Sequence, residues 1–94
     1  MSFTIDDPQV VSSTADTVEG NVRVEDPDGV DSVWVTLENV EAGFDGGFNR
    51  VTNPRYRFVV GAGFSPGEHL PLIFRARDIA GFEVQRDTYV VVVP

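Results

Sequence analysis

The chain contains one histidine, His69, and Ser65 lies four residues before it. A serine beside an imidazole is the beginning of a nucleophilic dyad, because the ring can take the hydroxyl proton as the oxygen attacks. The other roles such chemistry needs, a residue that orients the base and donors for an oxyanion, have no candidates at a telling spacing. Cysteine is absent, which removes a thiol nucleophile, a zinc cluster and a disulfide framework together. Carboxylates are plentiful, 15 among 94 residues. At that density pairs arise by chance, and glycosidase chemistry needs two of them facing across a cleft. The residues therefore point to a chain without catalysis, with His69 packing at a strand entry.

The elements that must position these groups are strands. Seventeen valines, many in two-step alternation and punctuated by Gly, Pro, Asp and Asn, suit a pleated surface. Over 17–25, Val18, Gly20, Val22 and Val24 alternate with Glu19, Asn21, Arg23 and Glu25, one dry face against one wet face. Asp26, Pro27, Asp28 and Gly29 form a turn where the chain reverses. Over 31–39, Val33, Val35 and Leu37 alternate with Ser32, Trp34, Thr36 and Glu38. The Gly-rich stretch 39–54 reads as a long connection carrying at most one short strand. Tyr56, Phe58 and Val60 mark the next strand, and Ser65, Pro66 and Gly67 a turn. Leu70, Leu72, Phe74 and Ala76 mark another, with Pro71 near its start because it lacks a ladder donor. Asp78 to Gly81 is a turn, and the last strand ends in Val90 to Val93, apolar on both faces. With an N-terminal strand near 3–12 there are about seven strands. Turn signals every 8–12 residues or so predict an all-β, antiparallel, two-sheet β-sandwich with Greek-key connections, a single domain over 1–94.

Three ordered segments carry a resemblance. Val22, Val24, Asp26, Asp28, Gly29, Val30, Ser32, Val33 and Val35 form the first, Tyr56 and Phe58 with Pro66, Gly67, Glu68, His69 and Leu70 the second, and Ala76, Asp78, Ala80 and Gly81 the third. Together they resemble the bacterial Ig-like domains found as accessory modules of secreted and surface proteins. Related D-x-A-G turns occur in fibronectin type III-like sandwiches. Phe82 departs from that pattern, where the family usually carries a polar residue, and so does the stretch 39–54. The resemblance implies a non-catalytic structural or spacer module of a larger bacterial or archaeal protein, extracellular or at the cell surface, whose partners are neighbouring domains of the same polypeptide.

In such a sandwich the turns at 26–31 and 78–81 share a pole with the chain start. Asp6, Asp7, Asp26, Asp28, Asp31 and Asp78 would then converge, and hard oxygen donors in that number suit calcium. The competing reading is local: aspartate favours turns because its side chain accepts nearby backbone N–H groups, and the spacing matches no EF-hand loop. With Val33, Val35 and Leu37 in the core, Trp34 points outward beside Ile73 and Arg75. That trio forms either a docking patch for a protein or glycan or a cation–π pair that covers the sheet. With Trp34 in the core, as in antibody domains, the patch disappears. Phe44, Phe48 and Phe64 either touch a neighbouring domain or a sugar, or plug the ends of the sandwich. The net charge of −8 repels phosphate backbones, which argues against nucleic acid as a partner. No stretch approaches the roughly 18 apolar residues of a membrane-spanning helix.

Overall fold

The computed structural model describes residues 1–5 and 9–94. Among them are seven strands and no helix: β1 (Ser2–Ile5), β2 (Val10–Ser12), β3 (Asp16–Leu37), β4 (Val40–Thr52), β5 (Arg55–Val60), β6 (His69–Asp78) and β7 (Glu83–Val93). They build a mixed, curled sheet in the order β1-β3-β6-β7-β2, with β4 and β5 also paired to β3. No helix of the described residues is long and apolar enough to cross a membrane.

β3 organises everything else. Its first half pairs with β5 and β1, its second half with β6, and β4 runs along the second half and past the bend to Glu25 and Val24. The ladder loses register between Glu25 and Val30, where the local chemistry forces a bend. Pro27 has no donor to give, Asp26 Oδ1 accepts the Asp28 N–H at 2.8 Å, and Gly29 adopts a φ of +100°. The strand folds over at this point. Leu37, at its far end, therefore lines the same cavity as Val60, the cross-strand partner of Asp16 at its start.

Folding over puts two alternating faces on one core. Val18, Val22 and Val24 from the first half, and Val33, Val35 and Leu37 from the second, are all buried, together with Tyr56, Phe58, Leu70, Leu72, Phe74 and Val90. The halves meet where the Tyr56 ring on β5 packs edge-on against Phe74 on β6, centroids 5.6 Å apart. Burying one such aromatic side chain stabilises the fold by roughly 1.5–3 kcal/mol. Val90 and Val92 face this core, while β7 pairs with β6 on one edge and β2 on the other. The run of four valines is thus covered through its backbone as well as its side chains.

Three expectations need correction. The sheet is not purely antiparallel, since β2 runs parallel to β7. The segment expected as one strand near 3–12 comprises β1 on β3 and β2 on β7, so the chain crosses from one edge of the sheet to the other. The stretch 39–54 is no loose connection either. It turns tightly at Glu38 and Asn39, with Leu37 opposite Val40, and becomes the 13-residue β4. The second half of β3 exposes a row of N–H and C=O groups on that edge, and pairing them outweighs the weak strand preference of glycine.

Candidate functional sites

The acidic pole lies where β3 bends and the β6–β7 hairpin turns. Asp26, Asp28 and Asp78 each bring one carboxylate oxygen within 4.8 Å of the others. Two of them are already at work as turn formers. Asp26 holds the Asp28 N–H, and Asp78 Oδ1 accepts the Phe82 N–H at 2.9 Å, closing the hairpin. Asp26 Oδ2 also lies 3.7 Å from the Met1 amino group. Asp31 stands outside the trio, 3.6 Å from Arg77 Nε. Asp6 and Asp7 lie outside the described residues. With one oxygen from each, the three carboxylates supply fewer than the six to eight or so oxygens calcium takes, so a cation here would draw its remaining ligands from their second oxygens, backbone or water.

The outer face of the curled sheet carries the aromatic group. Val33 and Val35 are fully buried, so Trp34 between them points outward and is half-buried. It sits in a cross-strand row with Gly43 on β4 and Arg75 on β6. The Arg75 guanidinium carbon stands 4.5 Å from the indole centroid, a cation–π contact that covers part of the ring. Ile73, half-buried, belongs to the next row, opposite Thr36. On the other side of Trp34 no side chain intervenes: a Cβ placed on Gly43 would touch indole Cδ1 at 3.5 Å.

Beyond Gly43 the β3–β4 ladder shifts register again, with Val30 opposite Asn49 but Ser32 opposite Asp45. Two extra residues of β4 bulge out. Gly46 crosses so close to β3 that a Cβ there would fall 2.2 Å from the Val30 carbonyl oxygen, and Gly47 has a φ of +63°. Asp45 Oδ1 fixes the loop by accepting the Gly47 N–H at 2.8 Å. Phe48 follows with a φ of +59°, a conformation unfavourable for a bulky side chain, and its ring is 67% exposed. Bulges of this kind re-aim a side chain. Asp31, Ser32, Trp34, Gly43, Asp45 and Phe48 line an open depression of about 450 Å³. Phe48, expected in a loop to touch a neighbour or plug an end of the sandwich, lies in this bulge of β4, and Asp45 was not among the expected site residues. The adjacent pair Gly46 and Gly47 was the local signal for a bulge within a strand.

His69 is exposed and stacks face to face on Tyr89, centroids 4.3 Å apart and planes within 2°. Ser65 meanwhile donates its backbone N–H to Glu68 Oε2 at 2.6 Å, a contact that shapes the turn before β6. At the same end, Phe64 is half-buried and lines a cavity of about 280 Å³ with Leu37, Phe58, Val60 and Leu70. Phe44 likewise packs against the core. No family model, no curated protein and no solved structure matches the chain.

Proposed function

We propose that the chain is an Ig-like, two-layer β-sandwich with Greek-key connections that serves as a rigid spacer between neighbouring domains of an exported polypeptide and performs no chemistry of its own. The folded-over β3, with both halves packed on one apolar core, supports the two-layer reading, as does the Tyr56–Phe74 contact across that core. The observation that carries the spacing role is the placement of the first and last strands. β1 starts at the Asp26 pole, beside the bend of β3. β7 leaves the same pole at Glu83 and runs 11 residues to Val93, about 33 Å away at strand rise. There its end is tied to Ser13, whose N–H donates to the Val93 carbonyl at 2.8 Å. The chain thus enters and leaves at opposite ends of a body whose longest dimension is 43 Å.

The absence of cysteine makes the test direct. Dyes placed on Ser2→Cys and Pro94→Cys, both exposed positions, report the end-to-end distance by energy transfer. A narrow distribution close to the long axis, unchanged up to the melting transition, fits a strut. A broad distribution well below the melt, as a flexible linker gives, ends the spacer reading.

A further inference from the structure

The depression beside Trp34 goes beyond a spacing role. Its lining includes two exposed or half-exposed aromatic rings, Trp34 and Phe48, and two carboxylates, Asp45 and Asp31, of which Asp31 is already paired with Arg77 at 3.6 Å and Asp45 has no cationic partner among the described residues that form the depression. We propose that it binds a cationic side chain, an arginine or lysine of a basic segment in a partner protein. Both kinds of wall favour the same guest. The π-face of an aromatic ring attracts a guanidinium or ammonium group, and a carboxylate pairs with its N–H donors, arginine doing so in a two-pronged fork. The net charge of −8 draws such a segment in from solution and holds anionic competitors off. Within the molecule Arg75 already makes the same contact with Trp34, at 4.5 Å from the β6 side. A guest would occupy the part of the indole that lines the depression with Gly43, Asp45 and Phe48. The bulge adds the second ring, Phe48, which it holds at a φ of +59°.

Trp34 is the only tryptophan, so its emission reports on the depression directly. The protein is titrated with a blocked octapeptide of alternating arginine and glycine, with its glutamate–glycine counterpart, and with a neutral gluco-oligosaccharide. The expected result is a saturable change with the arginine peptide alone, weakening as salt is raised because the contact is partly solvent-exposed. Phe48→Asn and Asp45→Asn should each lower the affinity by about tenfold, the scale of one well-placed contact. Both variants are chosen to keep the fold: asparagine tolerates a positive φ, and an amide oxygen at 45 still accepts the Gly47 N–H. Melting curves of each confirm that lost binding is not lost structure. No response to the arginine peptide overturns the proposal. So does a response that both variants retain, and a response to the oligosaccharide in place of the peptide reassigns the depression to glycans. The end-to-end distance measured above is independent of all these outcomes, so the two readings stand or fall separately.

Discussion

Gly46→Ala tests the crossing of β4 over β3 on which the bulge and its depression depend. A Cβ at that position falls 2.2 Å from the Val30 oxygen and 2.6 Å from its carbonyl carbon, whereas non-bonded carbons rest about 3.5–4.0 Å apart. The obstacle is backbone, so no side chain can swing aside. The bulge must lift from β3 by more than an ångström, and overpacking of that size costs about 1–3 kcal/mol. A ladder hydrogen bond lost beside it adds about 1 kcal/mol. A total near 3 kcal/mol is a large share of the roughly 5–14 kcal/mol expected for 94 residues. In a domain this small it lowers the melting midpoint by about 12–24 °C. Gly61→Ala is the matched control, because nothing lies within 4 Å of its Cβ position and its φ is not positive. There the reduced freedom of the unfolded chain should stabilise by about 0.4–1 kcal/mol. Thermal melts by circular dichroism read both. A Gly46→Ala midpoint equal to that of the parent would mean that β4 does not cross β3 this closely, and the geometry assigned to the depression would go with it.

Phe74→Ala removes a ring with no exposure that packs on Tyr56 from across the core, and should cost about 3–5 kcal/mol, read as a fall in the urea midpoint. A cost under about 1 kcal/mol would contradict the shared core. Asp16 lies at the entry to β3, where the Thr17 and Ser12 N–H groups donate to its carboxylate and hold its pKa below the ordinary value of 3.8. A folded-state pKa below the unfolded one means that the contribution is complete above the unfolded value and fades as pH falls through the folded one. The stability advantage of the parent over Asp16→Asn should therefore be constant from neutral pH down to about 4 and shrink below it. An advantage that persists undiminished into strong acid refutes this account. Asp28→Asn removes one of three clustered carboxylates, and with a chelator present it should raise the melting midpoint by relieving repulsion. A fall instead, together with a parent midpoint that rises in millimolar calcium, would show that the trio holds a cation, since a ligand bound only by the folded state raises the transition.

Much of the architecture is legible in particular residues. The alternation of Val18, Gly20, Val22 and Val24 assigns the buried face correctly, and that of Val33, Val35 and Leu37 gives the strand period, because the period of a strand is a property of neighbours along the chain. The same holds for the turn at Asp78 to Gly81 and for the bend at Asp26 to Gly29, although the latter, expected as a turn between two strands, lies inside the single strand β3. Proline, glycine and aspartate fix those backbones through their own geometry and their own side-chain acceptors. Whether Trp34 or the valines beside it face the core was open in the sequence, and the full burial of Val33 and Val35 decides that Trp34 points outward. The acids were harder to place. Their tendency to form turns is visible in the sequence, but that Asp78 joins Asp26 and Asp28 while Asp31 turns to Arg77 depends on how two distant turns meet.

What the sequence determined by itself was the strand period, the two sharp turns, the charge and the absence of cysteine chemistry, all of them local or summed quantities. Only the tertiary structure decided that residues 40–52 are a strand, that the N-terminal segment changes edges, and that Phe48 and Asp45 stand beside Trp34. These depend on which backbone edge is left unpaired and which carbonyl comes within reach of Gly46. Such partners are chosen by contacts between residues far apart in the chain, and no window of neighbouring residues contains them.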